Sequence, residues 1–114
     1  MFTTYPKSLK IGKYIYRFIY SRDGCVNRLE KELPDFEAHV GECDYYGKYI
    51  LISLGNEKEY FWREVREVWA TIWHEVFHAV CFENEVLKEL TYDEEKIEQF
   101  GQMFYLIQEE NYGD

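Results

Sequence analysis

The sequence predicts an α+β fold, in which a small, mainly antiparallel sheet of three or four strands is packed by two helices. Three observations lead to this prediction. The chain has 114 residues, enough for one domain, 1–114, around one core. Residues 9–20 are rich in isoleucine and aromatic residues, as is typical of strands. From about residue 57 the apolar period changes from two to about 3.6, which is typical of amphipathic helices.

The first predicted strand covers residues 9–20, where isoleucine and aromatic residues are concentrated. Residues 21–24 have the composition of a turn. Residues 25–37 are compatible with either a short helix or a loop, because Val26, Leu29 and Leu33 have helical spacing but Pro34 ends the run.

A second pair of strands is predicted at residues 38–44 and 45–54, with Gly47 near the turn between them. Residues 49–54 are almost continuously apolar, which indicates a strand buried on both faces. Gly55 closes this strand, and Asn56 is a candidate N-cap for the helix that follows.

A long helix is predicted from about residue 57 to residue 82. At 100° per residue its apolar side chains lie on one arc and a polar group lies about 140° away. The apolar arc contains Val65, Val68, Trp69, Ile72, Val76 and Val80, and the polar group is Thr71, His74, Glu75 and His78.

Residues 83–91 are acidic and are expected to connect this helix to a last one, which extends to about Glu110. Thr91 and Asp93 are both candidate N-caps for the last helix. Its predicted apolar stripe consists of Ile97, Phe100, Gly101, Phe104 and Ile107.

Charge and composition exclude several classes of function. The net charge of −9 disfavours binding to nucleic acid, because phosphate backbones repel an acidic protein. We find neither an apolar run of about 20 residues nor a signal-peptide pattern, so we expect no membrane association. The cysteines Cys25, Cys43 and Cys81 are odd in number and form no C-x-x-C pair, which favours a reducing, cytoplasmic location over a disulfide framework.

The segment His74-Glu75-Val76-Phe77-His78 is an H-E-x-x-H motif within the predicted helix. Histidines at i and i+4 lie one turn apart on the same side, so both rings can reach one metal ion at the Zn–N distance of about 2.0–2.1 Å. The intervening Glu75 lies beside that position, where it can hydrogen-bond a water on the metal. The motif therefore predicts a zinc site with Glu75 as general base.

The third ligand is expected from the acidic start of the last helix, because catalytic zinc often takes two histidines and one glutamate. We choose Glu94, which lies one turn before Ile97 near the edge of the buried stripe. Asp93 has the most favourable angular position on the helix, but its side chain is shorter than that of glutamate and could instead cap the helix. Glu95 and Glu98 remain alternatives.

The remaining polar candidates are weaker. His39 is the one other histidine, and a lone histidine near a predicted strand is more typical of a structural residue than of one that acts on the transition state. Tyr92, Tyr105 and Tyr112 are interpreted as packing or edge residues, although a nearby phenol could stabilise an oxyanion.

Three segments, T-I-W-H-E-V-F-H-A (71–79), T-Y-D-E-E-K-I (91–97) and M-F-Y-L-I-Q-E-E-N (103–111), resemble the small zincin-like metallopeptidases of phages and prophages, relatives of the ImmA/IrrE and SprT-like groups. The resemblance covers about residues 44–111. It implies a minimal zincin-like fold with a gluzincin-type site, in which His74, His78 and Glu94 hold Zn²⁺ and Glu75 is the base. The A-V-C-F that follows His78 departs from the third-histidine pattern of metzincins.

The expected function is that of a zinc-dependent metallopeptidase that acts on a protein or peptide substrate. The alternative is a non-enzymatic regulatory or protein-binding module, in which a metal stabilises the small fold or no metal binds.

Overall fold

The computed structural model describes residues 4–22, 40–56 and 61–112. It has the predicted α+β architecture, with a four-stranded sheet and two long helices. The expectations for residues 23–39, which include Cys25 and His39, lie outside the described residues. The elements are β1 (Ser8–Ile11), β2 (Tyr14–Ser21), β3 (Gly41–Asp44), β4 (Tyr49–Ser53), β5 (Gly55–Asn56), β6 (Phe61–Trp62), α1 (Val65–Glu83), a 3-10 helix (Lys88–Leu90) and α2 (Glu94–Tyr112).

The prediction of one strand over residues 9–20 is wrong, because this segment forms the hairpin of β1 and β2. The chain reverses at residues 12 and 13, and Gly12 has a φ of 62°, a conformation that favours glycine. The turn is marked in the sequence by little more than Gly12.

The predicted second hairpin is confirmed, with β3 and β4 antiparallel and residues 45–48 as the turn. The strand order is β1-β2-β4-β3, and β2 pairs with β4 in parallel. The sheet is therefore mixed, with two of its three pairings antiparallel. In the interior strand β4, Ile50 and Ile52 are completely buried, but Tyr49 and Leu51 on the other face are only half-buried. The prediction of burial on both faces is therefore correct for one face.

The long helix begins later than predicted, at Val65 instead of near residue 57. A two-residue pairing of β5 with β6 precedes it, and the N–H of Arg63 donates to the carbonyl of Leu54. Glu64 lies at the N-cap position, so the expectation that Asn56 caps the helix is wrong. Tertiary pairing here overrides the helical propensity of the local sequence.

The core lies between the sheet and α1. From the predicted apolar arc of α1, Val68, Trp69, Ile72 and Val76 are buried, whereas Val65 is 57% exposed because it lies in the first turn of the helix. Against them pack the inward-facing side chains of the sheet, namely Ile11, Tyr16, Phe18, Ile50 and Ile52.

The second helix packs along α1. Ile97 and Gly101 are buried as predicted, but Phe104 and Ile107 are 42% and 49% exposed. The rings of Phe77 and Phe104 still contact each other, with centroids 4.7 Å apart. The predicted apolar stripe is thus buried in the first turns of α2 and exposed to solvent toward its C-terminal end.

Neither α1 nor α2, the two long helices of the described segments, is apolar enough over its length to cross a lipid bilayer.

Candidate metal centre

The polar side chains of the H-E-x-x-H segment lie on α1 as predicted, and most of them are buried. His78 is 5% exposed and Glu75 is 6% exposed, while His74 is half-buried. One ligand atom from each of these three residues lies within 4.8 Å of the other two, so the group could hold a metal ion. Burial of a carboxylate beside two imidazoles is costly unless each group has a partner.

The carboxylate of Glu94, at the start of α2, lies between the two rings. The Nε2 atoms of His74 and His78 are 3.2 Å apart. The Oε2 atom of Glu94 is 3.1 Å from Nε2 of His74, and its Oε1 atom is 3.0 Å from Nε2 of His78. Ligand atoms at the corners of a zinc tetrahedron are about 3.3 Å apart, given bonds of about 2.0–2.1 Å. These atoms therefore have nearly the spacing that a zinc ion requires.

Hydrogen bonds on the far side of each ring determine which nitrogen faces this centre. The Nδ1 atom of His78 is 2.6 Å from the carbonyl oxygen of Thr91, which can accept but not donate. The Nδ1 atom of His74 is 2.6 Å from Oε2 of Glu98. Each Nδ1 therefore carries a hydrogen, and in the neutral ring each Nε2 presents its lone pair.

Two nitrogen lone pairs thus point at each other and at the carboxylate of Glu94. No hydrogen lies between these groups when both rings are neutral, so they repel one another. A cation at the centre removes this repulsion, whether it is a metal ion or a proton added to one ring. Metal-binding histidines typically donate their second N–H to a carboxylate or a carbonyl, as both rings do here.

The other acidic candidates for the third ligand have different positions. Asp93 is the N-cap of α2, since its Oδ1 accepts a hydrogen bond from the N–H of Lys96 at 3.1 Å. It was one of the two N-cap candidates that the sequence offered. Thr91, the other candidate cap, is instead buried, and its hydroxyl donates to the carbonyl of Lys88. Glu95 is exposed on α2.

Glu98 reaches His74 through Nδ1, on the side of the ring away from the candidate centre. Gln102 donates to the other oxygen of Glu98 at 3.0 Å. This bond, together with the contact to His74, lowers the pKa of the Glu98 carboxyl against the effect of its partial burial. Glu98 is therefore an ionised acceptor that orients His74, a role the sequence reasoning missed although the i, i+4 spacing from Glu94 indicated a shared face.

Glycine at position 41 lets β3 lie directly against Glu75. A Cβ atom there would be 2.7 Å from Cγ2 of Thr71 and 3.0 Å from Cγ of Glu75. Real Cβ atoms essentially never come as close as 2.7 Å to another heavy atom, so a side chain at this position would displace Thr71 and crowd Glu75. Gly41 thus lets the edge strand pack directly on two side chains of the motif helix, a contact that nothing in the sequence indicated.

Arg63 ties the end of the sheet to α1 beside this contact. Its guanidinium donates to the carbonyl of Ser53 at 2.7 Å and to Oγ1 of Thr71 at 2.5 Å. It also contacts the carbonyl of Glu67 at 3.2 Å. These bonds fix the position of β4 relative to α1 on one side of the candidate centre.

In the described sheet β3 is an edge strand, and its free side faces the same region. The N–H of Ser53 donates to the carbonyl of Val40, so these two residues form a hydrogen-bonded pair. Because such pairs alternate along antiparallel strands, the backbone groups of Gly41 and Cys43 point away from β4. They are positioned to pair with another extended chain.

Two clefts meet at Gly41, Glu75 and Glu94. We call the first the tyrosine cleft. It has a volume of about 470 Å³, and its lining is formed by Gly41, Glu42, Cys43, Asp44, Tyr45, Tyr46, Tyr49, Glu75, His78, Tyr92 and Glu94. The second has a volume of about 630 Å³ and is lined by Val40, Gly41, Arg63, Glu67, Ala70, Thr71, His74, Glu75, Glu94 and Glu98. Among the described residues, the candidate centre is therefore bordered by a cleft on each of two sides.

The three tyrosines that were considered as possible oxyanion donors do not lie together. Tyr92 lines the tyrosine cleft and is 74% exposed. Tyr105 lies far along α2 and donates to Glu109, and burial with this bond raises the pKa of its phenol to about 12. The side chain of Tyr112 is outside the described residues.

Comparisons of the chain with protein-family models, with curated proteins and with solved structures found no match.

Proposed function

We propose that this protein is a zinc-dependent peptidase of the gluzincin type, as its resemblance to phage zincin-like enzymes implies. His74, His78 and Glu94 are the proposed metal ligands, and Glu75 is the proposed general base. The observation that carries this proposal is the convergence of three donor groups at separations of 3.0–3.2 Å with a buried carboxylate beside them. Two histidines and one glutamate are a donor set that catalytic zinc sites use.

A metal explains this arrangement better than an added proton does. Both Nδ1–H groups already donate to acceptors. One proton added to Nε2 of one ring would therefore have to serve both the lone pair of the other ring and the Glu94 carboxylate. A metal ion accepts electron pairs from both rings and from Glu94 together. When bound, zinc would supply Lewis acidity, which lowers the pKa of a water ligand to about 7 and polarises a carbonyl.

The role of Glu75 follows from its position. One of its carboxylate oxygens lies within 4.8 Å of ring nitrogens of both histidines, close enough to accept a proton from a water between them. The same carboxyl can then donate this proton to the nitrogen that leaves when the peptide bond breaks. Glu75 is 6% exposed and packs against Gly41 of β3, which limits the orientations of its carboxyl.

A peptide substrate fits the free edge of β3. The outward backbone groups of Gly41 and Cys43 can pair with an extended chain, which would then pass the proposed centre with residues in both clefts. The edge strand would thereby hold the scissile bond near Glu75.

The test is cleavage of a quenched-fluorescent peptide library by zinc-loaded wild type and by Glu75→Gln. We expect activity in the wild type and a loss of roughly 10²- to 10⁴-fold in the variant, the effect of removing a general base. Zinc content should be equal in both proteins. Equal cleavage by the two proteins would contradict the role of Glu75, and bound zinc without cleavage would favour the alternative of a metal-stabilised binding module.

A further inference from the structure

The side chains of β3 separate into two sets with different surroundings. Gly41 and Cys43 pair with buried residues of β4 and face the helix layer. Glu42 and Asp44 pair with Leu51 and Tyr49, and point to the opposite face. Being two residues apart on one strand, the two acids lie about 7 Å from each other along the free edge.

The described residues that line the tyrosine cleft carry one sign of charge. Four carboxylates line it, from Glu42, Asp44, Glu75 and Glu94, and no lysine or arginine is among the described residues that line it. Asp44 accepts hydrogen bonds from the backbone of Gly47 and Tyr46, which lower the pKa of its carboxyl. This end of the cleft is therefore negatively charged at neutral pH.

Aromatic rings form the remaining walls of the same cleft. The ring of Tyr45 stacks on Phe82 with centroids 4.5 Å apart and meets Tyr92 edge-on at 5.9 Å. Tyr46 is 88% exposed at the rim. The Nζ atoms of Lys48 and Lys88 lie 5.3 and 5.4 Å from the centroid of the Phe82 ring, so this aromatic wall already has cations beside it. The acids on the other face of β3, Glu42 and Asp44, are therefore the groups that can select a basic side chain.

We infer that the free edge of β3, where Glu42 and Asp44 border the tyrosine cleft, selects an extended peptide with lysine or arginine at two positions separated by one residue. A strand paired to β3 presents alternate side chains on the face that carries Glu42 and Asp44. Opposite charges across neighbouring strands stabilise the pairing, and like charges destabilise it. This inference rests on the proposed peptidase function and specifies the substrate class of the same site.

The overall charge of the chain also favours basic peptides. A net charge of −9 attracts basic peptides over a distance set by the ionic strength, and it raises the rate of their encounter with the cleft. A test must therefore separate the local effect of Glu42 from the effect of net charge.

The experiment uses the full-length, zinc-loaded Glu75→Gln variant and three fluorescein-labelled peptides. The peptides are identical except that lysine, glutamine or glutamate occupies two alternate positions. We expect fluorescence anisotropy to give an affinity for the lysine peptide at least about 10-fold higher than for the glutamate peptide. Adding Glu42→Lys should abolish most of this preference.

The matched control is Glu110→Lys, which makes the same change in net charge. Glu110 is exposed on α2, 16 residues after Glu94 and hence about 24 Å away along the helix axis. We expect it to change the affinities less than about 2-fold. Equal affinities for the three peptides would overturn the inference, as would equal effects of the two lysine substitutions, which would indicate attraction by net charge alone.

Cleavage by the wild type separates this inference from the proposed function. Cleavage of all three peptides with equal kcat/KM would support the peptidase and overturn the selectivity. Binding of the lysine peptide without cleavage would overturn the peptidase and support a cleft for basic peptides. Neither binding nor cleavage of any peptide would overturn both.

Discussion

Gly101 of α2 lies directly against the backbone of His74 in α1. A Cβ atom at this glycine would be 3.2 Å from both the Cα and the backbone nitrogen of His74. Glu94 and Glu98 lie seven and three residues before Gly101, on the same face of α2. The close approach of the two helices therefore brings both carboxylates within reach of the His74 ring.

Substitution of Gly101 by alanine should weaken zinc binding. Alanine favours the helix by about 1 kcal/mol, but its Cβ would press on backbone atoms that cannot rotate away. We expect a zinc Kd raised by about 10-fold in competition with a chelating dye. The control Gln99→Ala changes an exposed residue of the same helix and should leave the Kd unaltered. An unchanged Kd in Gly101→Ala would show that this contact does not position the site.

Glu98→Gln should weaken zinc binding without removing a proposed ligand. The variant keeps an acceptor for Nδ1 of His74 but loses the charge that strengthens this bond. Loss of such supporting groups typically costs 10- to 100-fold in metal affinity. The same titration should show this change, and the exposed Glu95→Gln should be neutral. If Glu95→Gln had the larger effect, Glu95 would be the more important acid.

Gly41→Ala should reduce cleavage while zinc remains bound. The new methyl group would overlap Cγ2 of Thr71 and crowd Cγ of Glu75, whereas it is not directed at either histidine. We expect kcat to fall by at least about 10-fold, because misplaced catalytic groups are costly. The second substitution Thr71→Ser removes Cγ2 but keeps the hydroxyl that Arg63 contacts. Partial recovery in the double variant would support the explanation, and full activity of Gly41→Ala alone would refute it.

The protein should lose stability at alkaline pH. Burial raises the pKa of the Tyr16 phenol above its usual value of 10.0, as it does the pKa of the Cys43 thiol above 9.0. Above those values the unfolded chain releases protons that the folded chain retains, so stability falls by about 1.4 kcal/mol per pH unit for each group. The measurement is the denaturation midpoint in urea between pH 8 and pH 11.

Tyr16→Phe should lower stability at pH 8, because Glu83 loses a hydrogen bond, but it should also flatten the alkaline decline. Tyr46→Phe, at an exposed position, is the control and should keep the full decline. A decline of the same steepness in Tyr16→Phe would mean that other groups cause it.

The sequence predicted those parts of the molecule that a local pattern determines. The helical period placed Glu75 and His78 on one face of α1, and the apolar run of β4 predicted the burial of Ile50 and Ile52, although its other face is only half-buried. Asp93 was recognisable as a cap because its short side chain suits that role.

Features that depend on pairing between distant segments were not predictable in this way. The parallel pairing of β2 with β4 leaves no local signature, and neither does the short β5–β6 pairing that delays α1 to Val65. The contacts of Gly41 with Glu75 and of Gly101 with His74 require that the packing be known. The carbonyl of Thr91 that orients His78 is a backbone atom, which any residue could supply.

Anomalous diffraction at the zinc absorption edge, from crystals grown with one equivalent of zinc, tests the central claim most directly. We expect one strong peak per chain within about 2.2 Å of Nε2 of His74, Nε2 of His78 and a carboxylate oxygen of Glu94. The absence of a peak among these atoms, or a peak bound by other residues while both rings keep their contact with Glu94, would contradict the proposed metal centre.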